Sequence, residues 1–311
     1  MKKLMGIAVG CVLVVLVGAL VGRAAVEISP SEVFAQAVQV EKEVELLRQH
    51  FGIPSQGEAE VVQADLKPRH VWQKTCEILI KINALRRRYD LPRIIPNTME
   101  PVLNLPPGLV FEQTQRILTE LAILKVRLDV PGRVTPPKVH VAKKPIDVFN
   151  KLHFISGQLD LLNRQEIDPT YVFGEVMRVY EDVDAILSWQ EIPDDTFPPA
   201  KNPVVTPKES LAAAFLLLAE IQRLQQGLGV ERTDFAAFRK VERVAPEDVF
   251  NLVGLSLAEL QTVKAAMGLR HVITRPAEYN EPKTPADVLQ LLGWTTRKLQ
   301  LVRGARSGER P

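Results

Sequence analysis

Cysteine is almost missing from this chain. Of 311 residues only Cys11 and Cys76 are cysteines, and Cys11 sits in an amino-terminal apolar run. If that run is removed, no intrachain disulfide is possible and the core alone must hold the fold. Cys76 stands among Ile78, Leu79 and Ile80 with no nearby histidine to activate it, which reads as a buried inert thiol. Histidine is sparse too. None of His50, His70, His140, His153 and His271 lies three or four residues from another His or Cys, and no Glu-x-x-His iron signature occurs. Nucleotide-binding glycine loops, a nucleophile elbow and the zincin His-Glu-x-x-His are all absent. An excess of one charge is lacking as well: 39 basic and 37 acidic residues leave a formal net charge of +2, spread over two nearly neutral halves. Nothing there would attract nucleic acid. Aromatic residues make up only 6%, and Trp72, Trp189 and Trp294 follow no spacing that would build a stacking platform. The expected catalytic, cofactor and metal residues are therefore none, and the chain is expected not to be an enzyme.

Proline is present in quantity, 23 residues in a chain with long helical patterns. A proline inside a helix costs about 3 kcal/mol, so these must mark helix starts and linkers. The first residues are of another kind. Lys2 and Lys3 precede an uncharged run from Leu4 to Val21, and Gly22-Arg23-Ala24 follows. Residues 1–25 read as a secretory signal or, if retained, a membrane anchor. Either places the remainder outside the cytoplasm, in the periplasm or an equivalent compartment. A lipoprotein reading at Cys11 is weakened by the missing leading Leu of Ala8-Val9-Gly10-Cys11.

Eight prolines recur in register: Pro30, Pro68, Pro107, Pro145, Pro169, Pro207, Pro246 and Pro285. Their spacings are 38, 39, 38, 24, 38, 39 and 39 residues. The one short interval splits the chain into residues 26–166 and 167–303, each with four units, before a disordered tail at 304–311. Each marker proline is suited to the first helical position, often after a capping residue such as Ser29, Asp168, Thr206 or Thr284. Lys67-Pro68 and Pro106-Pro107 lack such a cap. From each marker, core residues recur at +3, +7, +10, +14, +17 and +21, a heptad seam with an extra apolar residue at +4. Position +13 holds Glu43, Lys81, Glu120, Gln158, Asp182, Glu220, Glu259 and Lys298, a g-type site expected to form weak surface pairs between helices. Glycine after Phe51, Leu228 and Met267, and Asp90 and Asp129 before Leu91-Pro92 and Val130-Pro131, mark left-handed helix ends. The connections are long and proline-rich, where an ordinary up-down bundle needs about 2–8 residues. That length predicts parallel helices joined by crossover linkers, with an alternating bundle as the other arrangement.

The expected fold class is therefore all-α: eight helical repeat units forming two tandem four-helix bundles. Arg86-Arg87-Arg88 reads as a solvated helix end. Glu181-Asp182-x-Asp184 and Asp194-Asp195 read as solvated acids, and His153 as a partly buried structural histidine. His50 and His70 read as surface residues near helix ends. The expected function is an exported, non-enzymatic scaffold or protein-interaction module of the cell envelope, with protein partners and possible oligomerisation or inner-membrane anchorage. The alternative is a small-molecule sensor or carrier binding within the bundles, with the polar seam residues Thr75, Thr114 and Thr295 as its candidates.

Overall fold

The computed structural model describes residues 28–54, 57, 61–135, 137–138, 141–165, 167–239, 243–275 and 281–302. Residues 1–27, expected as a signal or anchor, the carboxyl tail and His140 lie outside the described residues. Among the described residues the chain is all-helical, with no strand. The helices are α1 (Pro30–His50), α2 (Pro68–Arg88), α3 (Pro107–Arg127), α4 (Pro145–Asn163), α5 (Pro169–Trp189), α6 (Pro207–Gly227), α7 (Pro246–Ala266) and α8 (Pro285–Leu301). A 3-10 turn, Ala236–Arg239, lies between α6 and α7. Among these helices, none is long and apolar enough to cross a membrane.

Every helix begins on its marker proline, whose fixed φ suits the first turn. The residue three positions after the cap closes many of these starts. The cap's backbone N–H donates to that residue's side chain: Ser29 to Glu32 (2.6 Å), Lys144 to Asp147 (2.7 Å) and Thr206 to Glu209 (2.7 Å). The starts at Lys67 and Pro106 are resolved differently. In α2, Nδ1 of His70 accepts the Lys67 N–H at 2.8 Å. In α3, the cap is Pro106, which has no N–H to satisfy.

The helix ends are equally uniform. Gly52, Asp90, Asp129, Arg164, Glu191, Gly229 and Gly268 all adopt positive φ. The next residue then donates its N–H five residues back, as Ile53 to Arg48, Leu91 to Arg86, Val130 to Lys125 and Val230 to Gln225, each at 2.9 Å. These are Schellman closures, two of them on aspartate instead of glycine.

The heptad seam is the core. In α1, Val33, Ala37, Val40, Val44 and Leu47 are all buried; Phe51 at +21 falls beyond the helix and is partly exposed. Helix α1 packs on α3 and α4, and α2 on α3 and α4. Likewise α5 packs on α7 and α8, and α6 on α7 and α8. Pro30, Pro68, Pro107 and Pro145 line one narrow cavity of about 10 Å³, and Pro169, Pro207, Pro246 and Pro285 line another of about 20 Å³. All four helix starts of each set thus share one end, so the helices within a set run parallel.

Ion pairs fix the register. Glu43 meets Lys125 at 2.5 Å, Glu120 meets Arg86 at 2.6 Å, and Asp182 meets Lys264 at 2.5 Å. Each joins a +13 residue to the +18 residue of a neighbouring helix, the g-to-e link of parallel helices in register. These pairs are buried, which corrects their reading as surface contacts. The linkers cover them: Lys125 also donates to the Gly132 carbonyl (2.7 Å), and Glu43 accepts the Val134 N–H (3.3 Å). Other linkers are clamped by helix amides. Asn150 exchanges two hydrogen bonds with Val62 (3.1 and 3.0 Å), and Asn83 does the same with Ile94 (2.9 and 2.7 Å).

Candidate functional site

The two sets meet where α2 packs against α7. Both helices are covered on nearly every side, because each has neighbours in its own set and one in the other. For α7 the sequence explains this directly. Leu252, Val253, Leu255, Leu257, Ala258 and Leu260 wrap the helix with apolar side chains, as a fully buried helix requires. Helix α2 instead brings charge: Arg69, His70, Lys74, Glu77 and Lys81 are all buried.

The charges are satisfied in two clusters related by reversal of the helices. Arg69, one residue after its marker proline, donates to Glu259, thirteen after its own, at 2.8 Å. Glu247, one after Pro246, meets Lys81, thirteen after Pro68, at 3.2 Å. Helices α2 and α7 are therefore antiparallel, and the sets point in opposite directions.

Glu259 is the centre of the first cluster. Its carboxylate accepts from Arg69, from Nε2 of His70 (2.5 Å) and from Gln225 of α6 (2.6 Å). Burial opposes its ionisation, but the His70 hydrogen bond and the Arg69 charge prevail and hold its pKa at about 2. Burial lowers the His70 pKa, so the ring stays neutral and serves as a donor to Glu259 and an acceptor for Lys67. Its role is structural, at a buried seam rather than at the surface. The surface reading failed because α7 covers the first turn of α2.

The second cluster joins α2, α4 and α7. Lys74 donates to both oxygens of Glu77 (2.9 and 2.8 Å) and to Asn251 (2.9 Å). Lys81 donates to Ser156 and Asp160, both at 2.5 Å. Ser156 donates to Glu77 and lies 3.1 Å from Glu247. Burial works against Glu247 too, yet Lys74 and Lys81 hold its pKa at about 2. At Asp160 burial wins over Lys81 and raises the pKa to about 7. Lys74, then burial, pushes His153 down to about 3, so that ring is neutral.

Two carboxylates with pKa values pushed apart often mark general acid–base sites. Here both are bound to Lys81, and neither lines the cavity nearby. That cavity, of about 420 Å³, opens between the two sets and is walled by Val61, Val62, Phe149, His153, Phe238 and Asn251, among others. A second, of about 340 Å³, lies under the α6–α7 linker beside Arg232 and Arg239.

The other residues singled out in sequence have local explanations. Burial raises the Cys76 thiol to about 12, and it is an inert core group. Thr75, Thr114 and Thr295 each donate to a carbonyl of their own helix, at Trp72 (2.6 Å), Phe111 (2.8 Å) and Leu291 (2.8 Å). They interrupt the seam without opening it. Asp182 is not solvated: Lys264, Gln261 (2.6 Å) and Thr274 enclose it, because the α7–α8 linker closes over α5. Asp184 and Asp194 both pair with Lys298. Arg86 is likewise buried on Glu120, while Arg87 and Arg88 are exposed, Arg88 also donating to the carbonyls of Leu162 (2.8 Å) and Asn163. Trp72 is core and Trp189 exposed, while Trp294 donates to Thr196 at 3.0 Å. His50 and His271 are exposed. Among the described residues no cluster of three or more His, Cys, Asp or Glu is placed to hold a metal.

No family model, curated protein or solved structure matches this chain.

Proposed function

We propose that the chain is an exported, non-enzymatic scaffold of the cell envelope: eight repeat units folded as two tandem parallel four-helix bundles, 26–166 and 167–303, set in fixed opposition. Its amino terminus acts as a signal or anchor, and the faces and linkers of the bundles bind protein partners. The observation that supports this most is the charged α2·α7 junction. Polar groups with strongly shifted pKa values are bound to one another across it, which suits holding two bodies at one angle. Repeated helices with long, clamped linkers suit an extended binding surface.

The test is proximity labelling in the native envelope with a carboxyl-terminal tag. The chain should mark one stoichiometric partner, and a Glu247→Ala, Glu259→Ala variant that keeps its helical spectrum should lose it. Equal labelling by that variant would show that the fixed angle is irrelevant. Absence of any stoichiometric partner would contradict the scaffold itself. The second reading, a small-molecule carrier, is supported by the junction cavity rather than by the bundle interiors.

A further inference from the structure

The junction cavity has a defined chemistry. Its wall from the α1–α2 linker, Val61 to Gln63, is held by the paired hydrogen bonds between Val62 and Asn150. Phe149 and Phe238 meet edge to face across the sets, with centroids 6.0 Å apart. Phe238 continues to Phe235 at 6.0 Å, and Phe235 to His70 at 5.3 Å, so an aromatic row runs from the cavity to the Glu259 cluster. The polar groups are unevenly placed. Asp234 and Asp248 line the cavity, while Lys74 lies behind it, 5.7 Å from the Phe149 ring and bonded to Asn251. His153 lines it too, and its Nδ1 is buried without a hydrogen-bond partner. A buried nitrogen without a partner is unfavourable, so a tilt of the ring towards a polar guest would be favourable.

We propose that this cavity binds a neutral, ring-bearing small molecule carrying one hydroxyl or amide, its ring against Phe149 and Phe238 and its polar group on His153 and Asn251. A volume of about 420 Å³ falls in the range of small-ligand sites, roughly 300–1,000 Å³. Either charge is disfavoured. A cation entering deeply meets Lys74, whose field already keeps His153 neutral. An anion must pass Asp234 and Asp248. A neutral ring meets neither penalty and gains apolar contact on both sides. The inference rests on the carrier reading and not on the scaffold one, and its test involves no protein partner.

The experiment is histidine-selective NMR of the whole chain, titrated with p-cresol, indole and benzamide, and with benzylamine and benzoate as charged counterparts. His153→Gln assigns the resonance. The expected result is a saturable His153 shift with at least one neutral probe, with Kd on the order of 1 mM for so small a molecule. Both charged probes should bind at least tenfold more weakly. Ala237→Trp, which fills the cavity from a half-exposed turn, should abolish the shift without changing the melting temperature. Three results would overturn the proposal: no saturable shift with any neutral probe, benzylamine or benzoate binding as tightly as the neutral probes, or a shift that survives Ala237→Trp. Should Ala237→Trp not fold, Asn251→Leu is expected to weaken the neutral probes at least fivefold, and unchanged binding would count against the site.

Discussion

The seams inside each set and the junction between the sets draw on different helical positions for different purposes. Inside a set, positions such as Ile117, Leu121 and Leu124 are apolar and fully buried, and charge enters only at the edge, in pairs such as Glu43–Lys125. At the junction, Arg69, Lys74 and Lys81 of α2 face Glu247 and Glu259 of α7, so charge is the contact itself. Apolar burial gives stability without much direction. Paired buried charges add little net stability, but each demands one particular partner. The seams hold the helices, and the junction sets the angle.

Removing one charge at the junction should have the largest effect. Glu259→Ala leaves Arg69 buried without its counter-ion and His70 without an acceptor, at an expected cost of about 3–5 kcal/mol in urea denaturation. A loss below 1 kcal/mol would mean that water already reaches this cluster. Leu121→Ala, in the apolar seam, is expected to cost about 2–5 kcal/mol. The two should separate by rescue. Arg69→Met added to Glu259→Met should recover most of the single-variant loss, whereas no second substitution restores the seam cavity.

Acid should act on the junction before the seams. Glu247 and Glu259, at about 2 against an ordinary 4.5, contribute stability that is complete above pH 4.5 and lost between 4.5 and 2. His70 and His153, both lowered from 6.5, are neutral when folded, so the unfolded chain gains protons first and stability falls below about pH 6.5. Asp160 works in the other direction. Its pKa is raised from 3.8 to about 7, so its contribution is present below 3.8 and lost as pH rises towards 7. The denaturation midpoint of the wild type should fall steadily from pH 6.5 to 3. Asp160→Asn should raise it at pH 8 and leave it unchanged at pH 3.5; a lower midpoint at both would mean that the Lys81 ion pair outweighs the desolvation.

The smallest effect belongs to a feature both regions share. Asp90 closes α2 at the junction, and Asp129 closes α3 away from it, with φ of 56° and 53°. Glycine relieves the left-handed strain, so Asp90→Gly and Asp129→Gly should each stabilise by about 0.5–1 kcal/mol in thermal melts. Unequal gains would show that the junction strains α2.

The sequence made the seams legible because a heptad is a local pattern: Val33, Ala37, Val40 and Val44 point one way whatever else the chain does. The helix starts were equally plain in the prolines. The junction was hidden because burial of a g-type residue depends on whether a second helix covers it, and that is not local. Glu259 and Glu220 look alike in sequence, yet α2 covers one and solvent the other. One signal was available: the apolar girth of α7, with Leu252, Val253, Leu255, Leu257, Ala258 and Leu260 on all its sides, exceeds what a single seam needs. The capping role of His70 was harder to see, since its imidazole stands where other units place a carboxylate.

The central claim is that the α2·α7 charges fix the two sets relative to each other. Spin labels at Val126→Cys on α3 and Leu216→Cys on α6, both exposed, report that distance in a Cys11→Ser chain whose remaining Cys76 is buried. Pulsed electron–electron resonance should give one narrow distance distribution at pH 7, broadening in Glu247→Ala, Glu259→Ala while the helical spectrum is retained. A distribution already broad in the wild-type background, or one equally narrow in that variant, would contradict the account.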